Sequence, residues 1–168
     1  MATLQARSPH CFSSTYVLHL DGRPHGEFVG RMFGEGFNAS MAGRQRLAFH
    51  RSNWIGSHMT LTDEASGQVL GTADRAGFFT SAWDLSLTSG PAQLVSAGIF
   101  HTGYEITNSS GRIGTVTQIG MFEGGWTVTD HSGTLRDTDL LVVGLTYQTI
   151  VNRRRRQSSS HAGAGAAT

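Results

Sequence analysis

Four consecutive arginines, Arg153 to Arg156, are the densest chemistry in this chain of 168 residues. Each guanidinium is a planar fork that can donate in parallel to two oxygens of an anion. Arg44, Arg46 and Arg51 form a second, looser basic group. Such a run anchors a protein to an anionic surface, at about 1 kcal/mol per arginine beside acidic lipid. The other reading is a cap on the negative end of a helix dipole with a solvated tail. All thirteen basic residues are arginine, and residues 1–152 hold nine of them against twelve acids, so the positive charge is a local patch on a slightly acidic body. Proteins that track a nucleic-acid backbone spread arginine and aromatic residues over a face. Nucleic acid is therefore not an expected partner.

Other chemistries lack their partners. Eight histidines suggest metal, and His19 and His25 could face each other across a hairpin, but His50 and His58 are eight apart and His101 and His131 stand alone. With no H-E-x-x-H and no paired cysteines, no metal is expected. Cys11 is the lone cysteine, so no internal disulfide can form, and no G-x-S-x-G elbow marks a nucleophile. Gly34-Glu35-Gly36 begins like a dinucleotide-binding loop, yet Ala39 stands where the third glycine belongs and Glu35 would repel phosphate. It reads as a turn. No catalytic residue and no cofactor is predicted.

These residues must be carried by something, and composition says what. With 38% apolar residues, 15% charged residues and 22 glycines, the chain favours turns and short strands over long solvated helices. Met59–Asp74, Tyr104–Thr117 and Trp126–Leu135 share one plan, and Leu18–Phe28 is a looser copy: alternating apolar residues, a polar turn with Asp or Asn, a Gly, then an apolar residue two places on. Asp and Asn bond their own backbone at a turn, Gly supplies positive φ, and period two places the apolar groups on one face. The pattern predicts a meander of hairpins. Gly98, Gly103, Gly114, Gly120, Gly124 and Gly125 mark bends or bulges in it, and Trp54, Trp83 and Trp126 are its expected core.

Asp139 to Asn152 (DLLVVGLTYQTIVN) differs in kind. Its Val, Thr, Tyr and Ile content favours strand, whereas Asp139 is a good N-cap and the following arginines suit a helix end. Drawn as a helix it is apolar on every side. Fourteen residues extend about 21 Å, short of the roughly 20 apolar residues that a bilayer crossing needs. Such a helix must be enclosed by protein, and a closed sheet can enclose it.

Asp/Asn-x-x-Gly hairpins that end in Trp126-Thr127-Val128 and then Asp139-Leu140-Leu141-Val142-Val143 resemble the tubby-like superfamily, which includes LURP-one-related proteins and phospholipid scramblases. The resemblance covers residues 15–156 and implies a twelve-stranded antiparallel barrel around a C-terminal hydrophobic helix. It also implies binding of lipid headgroups, phosphoinositides among them. The departures are an extra turn at His131-Ser132-Gly133, no placeable basic pair for phosphoinositide, and no acidic calcium segment beyond Asp137 and Asp139.

The expectation is an all-β protein with one helix: a closed antiparallel barrel of about twelve strands over residues 15–156 with its core helix at about 139–152. Residues 1–14 are expected to be flexible and residues 157–168 disordered, because both are poor in apolar pattern. The expected function is a non-enzymatic binding or scaffold module for anionic phospholipid or a membrane surface, through Arg153, Arg154, Arg155, Arg156, Arg44, Arg46 and Arg51. The alternatives are a small enzyme with a pocket at the barrel mouth and a purely structural protein. A monomer is expected, cytoplasmic and peripheral to membrane rather than spanning it. Two mutational expectations follow from the same reading. Exchanging the four-arginine run for Gln should leave the melting temperature unchanged, and Gly144→Leu should unfold the chain by overpacking.

Overall fold

Each polar turn does reverse the chain. The computed structural model describes residues 1–9, 13–31, 35–52, 58–77, 81–98, 103–120 and 125–162. These form twelve strands and one helix: β1 (Ala2–Arg7), β2 (Thr15–Leu20), β3 (Arg23–Gly30), β4 (Gly36–Met41), β5 (Arg44–Arg51), β6 (His58–Asp63), β7 (Val69–Arg75), β8 (Trp83–Leu87), β9 (Gly90–Ser96), β10 (Tyr104–Asn108), β11 (Gly111–Ile119), β12 (Gly125–Asp130) and α1 (Asp137–Ala162). Every strand pairs antiparallel with its neighbours in sequence, and β1 pairs with β12 to close the barrel. Closure leaves no sheet edge to template aggregation.

Period two sets which side chains enter. In β8, Trp83, Leu85 and Leu87 are buried while Asp84 and Ser86 are exposed. Inside, α1 meets apolar wall on every side, so Leu140 to Ile150 are buried right around the helix, Gly144 being enclosed by the Trp126 ring. Three polar side chains there remain satisfied: Thr146 Oγ1 donates to the Val142 carbonyl at 2.7 Å, Thr149 Oγ1 to the Leu145 carbonyl at 2.9 Å, and Gln148 Nε2 to Asn152 Oδ1 at 3.1 Å. Back-bonding removes the cost of burying the hydroxyls. Burial on all sides thus overrides the strand preference of this segment.

Three boundaries differ from expectation. Residues 1–14 are not wholly flexible, because Ala2–Arg7 pair with both β12 and β2, with Leu4 and Ala6 fully buried. The Thr3 N–H donates to Asp21 Oδ1 at 2.8 Å and the Asp21 N–H to the Thr3 carbonyl at 2.8 Å, tying β1 to the first hairpin. One short alternation, Leu4 and Ala6, carries the inward pattern of this strand, too little to register as a period. At the other end the helix runs from Asp137 to Ala162, not about 139 to 152. Arginine is a good helix former, and Ser158 and Ser159 back-bond to the Arg155 and Arg156 carbonyls at 2.9 Å. Residues 157–162 are therefore helical; residues 10–12 and 163–168 lie outside the described residues, as do Cys11, Trp54, His101 and Gly124.

The barrel has two unlike ends. Tight hairpins after β2, β4, β6, β8 and β10, and the link from β12 to α1, make the turn end; the odd-numbered strands through β11 end at the opposite end, the mouth. At the first hairpin, Asp21 (φ 49°) and Gly22 (φ 79°) take the paired left-handed conformations of a type I′ turn. The helix starts at the turn end and leaves through the mouth.

Asp130 builds the link from β12 to α1. Its carboxylate accepts from Ser132 N at 2.8 Å, Ser132 Oγ at 2.7 Å, Gly133 N at 3.0 Å and Leu135 N at 3.0 Å. Burial would raise this carboxyl, but the Ser132 hydroxyl and the three backbone N–H groups outweigh burial and hold it below its ordinary value. A depressed native pKa contributes stability that is complete above the unfolded value, about 3.9, and fades as pH falls through the native value. Asp130→Asn is expected to lower stability at neutral pH by about 2–3 kcal/mol and to flatten the acid limb below about pH 4. Urea midpoints across the acid range check this; an unchanged acid limb in the variant overturns it.

Candidate functional site

Odd-numbered strands run toward the mouth, so an arginine at the end of such a strand is delivered there. Arg7 closes β1, Arg31 follows β3, Arg51 closes β5 and Arg75 closes β7, and all four are exposed. The helix adds Arg153 to Arg156 at the same end. Eight of the thirteen arginines therefore gather at the mouth against Glu35, Asp74, Asp84 and Glu105, while Asp21, Asp63, Glu64, Asp130, Asp137 and Asp139 lie at the turn end with Arg23, Arg44, Arg46, Arg112 and Arg136. The molecule is electrostatically polar along its barrel axis. Arg7, Arg31 and Arg75 were not picked out in the sequence because they are far apart in it; the signal was one arginine at the end of each of four alternate strands.

The second basic group divides. Arg51 joins the mouth, but Arg44 begins the same strand and lies about 24 Å away at 3.4 Å per residue. Arg44 pairs with Asp63 at 3.6 Å. Arg46, at φ 67°, borders a shallow depression with Glu27 and Glu64. Neither belongs with Arg153 to Arg156, and the physical reason is strand direction.

Within the helical run, two arginines are built in and two project. Arg153 donates from Nε to Glu35 Oε1 at 2.9 Å and from Nη2 to Glu35 Oε2 at 2.6 Å, a bidentate pair between helix and the connection before β4. Its guanidinium also lies 5.3 Å from the centre of the Trp83 ring. Arg154 Nη2 donates to the Tyr104 hydroxyl at 2.7 Å and its guanidinium lies 5.7 Å from that ring, which packs edge-on against Tyr147 at 5.8 Å. The Arg153 guanidinium, with help from Arg51 and Arg156, holds the Glu35 carboxyl below the usual carboxylate range. Burial pushes the Tyr104 and Tyr147 phenols up, so both keep their protons at neutral pH. Arg155 and Arg156 are exposed.

Two clefts open beside the helix at this end. One, of about 150 Å³, is bordered by Arg75, Ser81, Trp83, Tyr104, Arg153 and Arg154. The other, about 50 Å³, lies between Arg31, Glu35, Phe37, Asn152 and Arg156. Donors and positive charge converge here, which is the chemistry of oxyanion capture.

Among the described histidines, His25 and His58 meet carboxylates. His19 opposes Pro24 rather than His25 in the β2–β3 register, and His25 instead meets Asp137 at 3.4 Å. His58 pairs with Asp74 directly across β6 and β7. Among the described residues no group of three or more metal-ligating side chains converges. No described helix is long and apolar enough to cross a membrane. The chain matches no family model, no curated protein and no solved structure.

Proposed function

We propose that this chain is a non-enzymatic binding module whose mouth docks on an anionic surface, an acidic phospholipid bilayer being the favoured one. The observation that carries the reading is the gathering of eight arginines at one end of an otherwise slightly acidic barrel. Seven of the eight are exposed there, and six of these, Arg7, Arg31, Arg51, Arg75, Arg155 and Arg156, lie outside the Arg154–Tyr104 contact. At about 1 kcal/mol each, their upper limit is about 6 kcal/mol, a dissociation constant of tens of micromolar. That strength is reversible and sensitive to salt. The likeness to tubby-like barrels in strand plan and central helix supports the same ligand class.

The test is flotation with phosphatidylcholine vesicles with and without phosphatidylserine. Binding is expected only with the acidic lipid and is expected to fall as salt rises. Arg155→Gln/Arg156→Gln should weaken it by about 2 kcal/mol, roughly 30-fold, at an unchanged melting temperature. Arg153→Gln is different, because it breaks the bidentate bond to Glu35 and should cost about 1–3 kcal/mol of stability. The four arginines are thus not equivalent, contrary to the expectation that all four could be exchanged without loss of stability. No flotation at low salt overturns the proposal.

A further inference from the structure

The larger cleft is more specific than a charged surface requires. Its buried floor is Trp83 and Tyr104, and its rim carries Arg75 and Arg154, both exposed. Arg153 is fixed by Glu35 and by the Trp83 face, and Arg154 by the hydroxyl and the face of Tyr104. Guanidinium groups held in this way lose little further freedom on capturing a ligand. Ser81 and Gln157 add a hydroxyl and an amide to the lining, which has no carboxylate among the described residues.

We propose that this cleft is a binding site for a phosphomonoester group. The inference rests on the reading of the mouth as an anion-binding face and narrows it to one chemistry. A carboxylate offers two oxygens, and a phosphodiester two non-bridging oxygens with a single charge. A phosphomonoester offers three terminal oxygens and nearly two charges, which suits the Arg75 and Arg154 guanidinium groups of the rim with hydroxyl and amide donors around them, Arg153 turning Nε and Nη2 to Glu35. Size agrees. At about 150 Å³ the cleft is well below the 300–1,000 Å³ of pockets that take drug-sized ligands. It admits a headgroup and leaves the remainder of the molecule outside. The phosphate could arrive on a lipid or on a soluble ester; the chemistry recognised is the same.

Flotation on vesicles of matched surface charge, containing phosphatidic acid or phosphatidylserine, is paired with calorimetric titration of glycerol 3-phosphate. Phosphatidic acid is expected to be preferred by roughly tenfold or more, because donors to a charged group are lost with the other lipid. Arg75→Gln should remove the preference, whereas Arg7→Gln, at the same mouth but outside the cleft, should weaken both lipids equally. Ser81→Asp puts a carboxylate into the lining from an exposed position and should remove the preference by a second route, with circular dichroism confirming the fold. Equal binding of both lipids, with Arg75→Gln behaving like Arg7→Gln, overturns the cleft and leaves the anionic-surface reading intact. Binding of glycerol 3-phosphate lost in Arg75→Gln, with no vesicle flotation, supports the cleft with a soluble ligand and overturns the bilayer reading. No binding in either assay overturns both.

Discussion

Gly144→Leu is expected to leave no folded barrel, and even Gly144→Ala to destabilise it by about 3 kcal/mol or more, the upper end of what overpacking costs. Propensity alone gives the opposite sign, since Ala is better than Gly inside a helix by about 1 kcal/mol. The contact decides. A Cβ at position 144 would sit 2.1 Å, 2.3 Å and 2.5 Å from Cη2, Cζ3 and Cζ2 of Trp126. The ring has nowhere to go: Trp126 is fully buried and stacks on Phe28 at 6.0 Å, which stacks on Tyr16 at 4.7 Å and meets Phe37 edge-on at 5.4 Å. Nor can the helix retreat, because wall surrounds it, and on the β7 side a Cβ at Gly71 would already be 2.8 Å from Val142. Urea unfolding measures the loss. Gly144→Ala combined with Trp126→Leu should be more stable than the sum of the two single losses, because the smaller residue vacates the space the methyl needs. Strict additivity, or a stabilised Gly144→Ala, would sink the account.

The same glycine shows where sequence reasoning succeeds. A segment apolar on every side, flanked by hairpins with Asp, Asn and Gly turns, has few ways to hide its surface, so the closed barrel and its enclosed helix were legible from Trp126 to Val143 and from the turns before them. The face of α1 that meets Trp126 was not legible, although an overpacking cost at Gly144 was. Strand β1 was missed because Leu4 and Ala6 give one inward alternation, and its order depends on β12 and β2, distant in sequence. The candidate site was half visible. Arg153 to Arg156 stood out as a run, but their division into built-in and projecting pairs depends on Glu35, Trp83 and Tyr104, each from a different strand or connection. Arg44 and Arg51 look like neighbours in the chain and are placed at opposite ends by the direction of β5.

Asp139→Ala is the second large loss expected, about 3–5 kcal/mol, because the carboxylate is fully buried and joins two parts of the chain distant in sequence. It accepts from Thr88 N at 2.7 Å, Thr88 Oγ1 at 2.8 Å, Ser89 N at 3.2 Å and Arg136 N at 3.1 Å, fastening the first turn of α1 to the β8–β9 hairpin. Alanine strands three backbone donors. Asparagine fares little better, since one acceptor oxygen becomes an NH2 group facing N–H donors. Hydrogen exchange at the Thr88 and Ser89 amides should accelerate beyond the global change, and protection equal to wild type would show that the carboxylate is not what holds them. The helix is thus held by carboxylate at the turn end and by the Arg153–Glu35 pair at the mouth, fourteen residues or about 21 Å apart along its axis. Sites so separated add when the element between them is rigid. Asp139→Ala/Arg153→Gln should therefore lose the sum of the single effects to within about 0.5 kcal/mol. A smaller combined loss would mean that releasing one end already lets the helix slide within the barrel, and that the packing of Gly144 against Trp126 does not by itself fix its register.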